Sequence, residues 1–127
     1  MNANFKIALA VVAGAALGAA AVQGLHAQAA PKAYSIGEIE LLNTSGQADY
    51  LAKARQAIGA AHGRSLWTLG GRVVSIEGSP PPSAAIIEWD SLDDAVAFYK
   101  SQAWTDLAPQ RDKIEKVIRR YVVEAEK

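Results

Sequence analysis

The chain has 127 residues, 13 Lys plus Arg against 13 Asp plus Glu, no cysteine, and half its residues apolar. That is the length of a single domain. The balanced charge argues against a nucleic-acid binder and against an acidic disordered tail, and zero cysteines exclude disulfides, Cys-ligated zinc, iron–sulfur clusters and thiol catalysis.

The apolar residues are unevenly spread. Residues 1–29 hold 20 of them with one charge, Lys6, and read as a secretory signal peptide. Lys6 is the basic start, residues 7–22 are an uncharged Ala- and Gly-rich run, and Ala27-Gln28-Ala29 supplies the small residues of a cleavage site. A retained anchor is the competing reading. The run is shorter than the ~20 residues that span a bilayer, and its Ala and Gly make it weakly hydrophobic, which favours cleavage near Ala29. The expectation is an exported protein, periplasmic or secreted, with no membrane attachment once the leader is gone. Its domain, residues 30–127, carries 12 basic and 13 acidic side chains.

That domain divides into alternating patterns. Residues 34–42 alternate as a strand. Thr44 and Gln47 resemble a capping box opening a helix to His62, with Ala48, Leu51, Ala54 or Arg55, Ile58 and Ala61 on its apolar stripe. Gly63 suits the left-handed residue that ends it. Residues 64–69 read as a second strand that resumes over 72–77 after Gly70-Gly71, and Pro80, Pro81 and Pro82 make a rigid loop. Residues 84–89 form a third strand. Ser91 and Asp94 cap a second helix whose stripe is Leu92, Ala95, Val96, Tyr99 and Ala103, and a shorter piece over 104–111 breaks near Pro109. Residues 114–124 alternate as a fourth strand, with a terminal helix as the alternative.

The order β-α-β-β-α-β is the ferredoxin-like arrangement, an α+β fold. Right-handed crossovers give a four-stranded antiparallel sheet in the order 4-1-3-2, with helices on one face only. At this point the residues resemble a family. Tyr34-Ser-Ile-Gly-Glu38-Ile-Glu, Ala-His62-Gly-Arg64, Gly70-Gly71, Glu77-Gly78 with the prolines, Ile86-Ile-Glu88-Trp, Ser91-Leu92 and Phe98-Tyr99-x-Ser101-x-x-Trp104 through Arg111-Asp112 resemble, in order and spacing, the domain of unknown function 1330. That resemblance implies a dimeric α/β barrel, two such sheets packed face to face. The wider superfamily holds cofactor-independent monooxygenases, haem-degrading proteins and isomerases, but the family carries no agreed catalytic motif.

Strand parity sorts the two faces. Ile39, Leu41, Ala85, Ile87, Trp89, Ile118 and Val122 form an apolar set for the helix side. Tyr34, Ile36, Glu38, Glu40, Ile86, Glu88, Val117, Arg119, Tyr121 and Val123 form a mixed set on the open face, too apolar to face water alone. A homodimer through that face is expected. Glu38 and Glu88, with Arg119, read either as a polar pocket with one carboxylate raised for acid–base work or as an ion-pair set fixing register. His62, the sole histidine after the leader, reads as a base or haem ligand, or as a helix C-terminal residue favoured by the dipole. Trp67 reads as core or interface. Trp104, beside a proline-broken helix, is placed at a pocket mouth. The candidate ligand pocket is therefore Tyr34, Glu38, His62, Trp67, Glu88, Trp104 and Arg119, with no metal site and no cofactor expected. No phosphate loop, Gly-x-Ser-x-Gly or His-Glu-x-x-His motif occurs. Three functions compete: an exported small-molecule-binding or stress-related protein without catalysis, a cofactor-independent oxygenase or isomerase using Glu38, Glu88, His62 or Arg119, and a purely structural dimer.

Overall fold

A computed structural model describes residues 30–127, so the leader expectation falls on residues outside it. Among the described residues the elements are β1 (Ala33–Leu41), α1 (Gln47–Ala60), β2 (Arg64–Ser65), β3 (Ser83–Trp89), α2 (Leu92–Tyr99), α3 (Gln102–Asp106), α4 (Ala108–Ile114) and β4 (Glu115–Glu124). The sheet order is β2-β3-β1-β4, antiparallel throughout. The fold is α+β and ferredoxin-like, with the strand order that right-handed crossovers require. The C-terminal segment is a strand, not a helix.

Small residues on β1 decide how the helices sit. Ala33, Ser35 and Gly37 face the helix layer and leave room for large neighbours. Trp89 is fully buried beside Ala33 and donates its indole N–H to Ser35 Oγ at 3.0 Å, and Tyr99 donates its hydroxyl to the same oxygen at 2.8 Å. Phe98 lies 5.0 Å from Trp89, ring centre to ring centre. A tryptophan packed this way is worth roughly 3–5 kcal/mol when truncated.

Several local expectations are corrected. No side chain caps α1. Its N-cap is Gly46 at φ 77°, and Thr44 contributes only its carbonyl, to Gln47 N–H. The left-handed residue after α1 is His62, φ 66°, not Gly63. Gly63 is needed for space: a Cβ there would lie 2.7 Å from both Ile58 and Trp89. In α1 the buried stripe is Tyr50, Ala54 and Ile58, and in α2 it is Ala95 and Phe98, so Leu51 and Leu92 sit at the margin of the core.

The second strand is far shorter than its alternation promises. Trp67 takes a left-handed conformation, φ 60°, which breaks the ladder after Leu66. Thr68 Oγ then stands in for the backbone, donating to Ala84 carbonyl and accepting from Ile86 N–H. Residues 72–77 are not a strand, and Val74 and Ile76 are 74% and 90% exposed. In β4 the register shifts between Glu38 and Ile39. Glu38 pairs with Arg119 and Ile39 with Val117, leaving Ile118 as the extra residue of a bulge. The expected parity of Val117 and Ile118 is thereby reversed, because one inserted residue flips every side chain beyond it.

Candidate functional site

The open face carries two separate ionic groups with an apolar band between them. At one end Arg119 grips Glu38 with two bonds, 2.9 and 2.6 Å. At the other, Arg64 and Lys32 converge on Glu88 at 2.8 and 3.1 Å and on Asp90 at 2.9 and 3.3 Å. Ile36, Ile86 and Tyr121 share one row across the strands between them. The two glutamates are not a close pair. Glu38 registers with Ala84 and Glu88 with Tyr34, four residues apart along each strand, which is ~13 Å. Each is held below the ordinary carboxylate range, Glu38 by its bonds to Arg119 and Glu88 by those to Arg64 and then Lys32. The expected raised carboxylate is therefore absent from this pair, because each carboxylate has its own cation.

The seven predicted pocket residues do not gather at one point. Tyr34, Glu38, Glu88 and Arg119 lie on the open face. His62 is exposed in the turn after α1. Trp67 is 68% exposed, with Arg55 of α1 3.4 Å above its ring. Trp104 is on the other side of the sheet, among the helices, packed against the cluster of Trp89 and Phe98 on one flank and that of Tyr50 and Leu107 on the other, and of the seven only Trp67 joins it in lining one cavity.

Around Trp104 the helix layer holds a polar cluster that strand parity passed over. Arg120 of β4 registers with Gly37, and a Cβ on Gly37 would come within 2.8 Å of its Nη1. The missing side chain is thus the seat of the guanidinium. From there Arg120 donates to Glu115 Oε1 at 3.4 Å, and Tyr50 donates its hydroxyl to the same oxygen at 3.4 Å. Burial pushes the Glu115 carboxyl up despite Arg120 and Arg111, and burial with the nearby Glu115 charge pushes the Tyr50 phenol up as well. The Arg120 guanidinium lies 4.8 Å from the Trp104 ring centre and 5.8 Å from that of Tyr99, and Arg111 lies 4.0 Å from Trp104. The sequence does contain the signal. Arg120 shares the parity of Ile118 and Val122, so an arginine stood in an otherwise apolar set.

Two cavities flank this cluster, and Trp104 and Arg120 line both. One, between α1 and the sheet, has about 50 Å³ and reaches Tyr50 and Glu115. That suits a few waters. The other is an open groove of about 270 Å³ between α2 and β4, walled by Val96, Tyr99, Trp104, Arg120, Tyr121 and Val122, with Lys100 at its edge. Neither is lined by Glu38 or Glu88. Among the described residues no three acidic or histidine side chains gather as a metal site, and no helix is long and apolar enough to cross a membrane.

This fold and these residues match the family described as domain of unknown function (DUF1330) over residues 32–125. The chain belongs to the DUF1330 family. Its fold is similar to the crystal structure of RPA0582, a protein of unknown function from Rhodopseudomonas palustris, with TM-score 0.58 at 12% identity, covering 84% of this chain and 92% of that one. The methylated form of RPA0582 gives TM-score 0.50 at 14% identity, covering 84% and 90%. At these identities the likeness concerns the fold alone. No curated protein matches the chain. This DUF1330 member therefore has to be read from its own side chains.

Proposed function

We propose that this DUF1330 protein binds a small organic molecule in the groove between α2 and β4. The observation that carries the reading is the groove itself. It is a concave, largely apolar space of about 270 Å³ with one half-buried guanidinium set among aromatic rings, the usual composition of a ligand site. Drug-sized sites begin at about 300 Å³, so the guest is small. The catalytic alternative has weaker support, since the carboxylates it would use, Glu38 and Glu88, are each held ionised by cations.

The same proposal includes export and assembly. The leader is removed near Ala29, and the mature protein pairs with a second copy through the open sheet face. Support for the pairing comes from the apolar side chains that face leaves in water: Leu66, beside Ile86, Tyr121, in the row of Ile36 and Ile86, and Val123, in the next row with Tyr34, are 45%, 42% and 48% exposed. N-terminal sequencing of protein recovered from an exporting host tests the leader, with Ala30 as the expected first residue. A fragment screen followed by the indole N–H resonance of Trp104 tests the groove. Small ring compounds are expected to shift that resonance, and a screen in which none does would remove the reading.

A further inference from the structure

We propose that the guest of this groove is a planar monocarboxylate on a single ring, with Arg120 taking the carboxylate and the Tyr99 and Trp104 rings taking the ring. The inference rests on the groove being the binding site and adds the chemical class of what enters it.

The charge count around Trp104 points to an anion. The Arg111 and Arg120 side chains are only 12% and 17% exposed, and Lys100 adds a third cation at the rim. Against them stands one buried carboxylate, Glu115. Asp112 lies 3.9 Å from Arg111, but its side chain is 76% exposed and solvated. Arg120 is bonded to Glu115, and Arg111 reaches that carboxylate only through its charge, so two largely desolvated guanidiniums around Trp104 leave a positive excess where water is scarce, and such a site gains from a second anion.

The donors are also available. Arg120 has five N–H groups, and its side-chain hydrogen bond is the single 3.4 Å contact to Glu115. Yet no fully buried side-chain nitrogen among the described residues lacks a partner. The remaining guanidinium edge therefore reaches accessible space, and Arg120 lines the groove. The space over Gly37 seats that guanidinium, and a fixed planar fork suits a carboxylate better than a mobile ammonium does.

The walls select the rest of the molecule. Tyr99 and Trp104 meet edge to face at 86° with centres 4.9 Å apart, and Val96 and Val122 complete an apolar lining. A ring entering here stacks on one aromatic and meets the edge of the other. A phosphate would leave the apolar walls uncovered.

The test uses the full chain with benzoate and its neutral counterpart benzamide, read by titration of the Trp104 indole N–H resonance. Benzoate is expected to bind about tenfold or more tightly than benzamide, the usual worth of a charge-assisted bond. In Arg120→Gln that preference is expected to vanish while benzamide still shifts Trp104. Equal affinities in the wild type would overturn the carboxylate assignment and leave the groove reading standing. No shift with either compound would remove both. The wild-type pair decides the matter even where Arg120→Gln fails to fold, because both affinities are read on the wild-type protein.

Discussion

Glu38 and Glu115 are both buried, both in the sheet and both bonded to an arginine of β4, yet they titrate in opposite directions. Glu38, on the open face, has two short bonds from Arg119, a side chain that is itself 66% exposed, and the carboxyl is held low. Glu115, under α1, has one long bond from Arg120, whose side chain is 17% exposed, and the carboxyl is pushed up. The difference is whether the pair recovers in bonds what it loses in hydration. On the open face the geometry is bidentate and the cation keeps its water. In the helix layer the cation is seated by Gly37 and turned toward aromatic rings, so desolvation wins. An arginine spared for other work is found on the helix side, beside the groove.

The largest expected effect separates the two arginines. Arg120→Gln leaves Glu115 buried without its cation and should cost about 3 kcal/mol of stability, the lower end of the range for breaking a buried pair. Arg119→Gln should cost far less in the monomer, since exposed pairs contribute little. Urea unfolding of both variants checks this, with the midpoint falling much further for Arg120→Gln. Equal losses would break the contrast between the faces.

The second prediction concerns the open face as an interface. Ile86→Asp puts a charge in the middle row of that face, next to Ile36. If two copies pair there, it should weaken association by about 2 kcal/mol or more, as central interface positions do. Light scattering on dilute protein should then give the mass of one chain for the variant and of two for the wild type. A wild-type protein that already scatters as one chain would leave the open face solvated and remove its apolar band from any interface.

How much of this could be read from the chain depends on the residue. Alternation and turn residues place the sheet, its order and the helix layer, because each strand shows its period of two. Ser91 was legible as a cap, and it accepts from Asp94 N–H at 3.1 Å. The bulge at Ile118 was not legible, since an inserted residue leaves the apolar content unchanged while reversing the parity. Trp67 was not legible either, because nothing in a tryptophan's own preference calls for φ 60°. Of the site, Trp104 was picked out by the proline that follows it. Tyr50, Glu115 and Arg120 were passed over, although Arg120 stood in the apolar register. The buried polar residue on the packed face carried more information than the acidic residues on the open one.

The two glutamates should also divide the pH dependence of stability. Glu38 has its folded value below the unfolded one, so its contribution is present at neutral pH and is lost as pH falls through the folded value. Glu115 has its folded value raised, so its contribution is present in acid and is lost as pH rises through that raised value. Glu38→Gln should therefore flatten the acid limb of a stability profile below about pH 4, and Glu115→Gln should flatten the slope above it. Urea midpoints measured from about pH 3 to pH 7 check both. Two variants that alter the same limb would show that burial does not distinguish these sites.

The smallest expected effect lies at the turn where α1 passes into β2. Two neighbouring residues there meet the packed side and the solvent side in turn. Gly63 faces Trp89 and Ile58, where no side chain fits, whereas His62 is exposed and held at φ 66°. A left-handed conformation strains any residue with a Cβ; the His62 N–H closes the turn onto the Gly59 carbonyl, as a glycine there could, and its imidazole has no hydrogen bond or ion pair among the described residues. His62→Gly should remove that strain at the cost of a looser unfolded chain, for a net gain of about 0.5 kcal/mol. A small rise in the urea midpoint with unchanged slope is the expected result. A fall would mean that the imidazole is held by something outside the single chain, and the partner copy across the open face would be the first place to look, by repeating the measurement in the Ile86→Asp background.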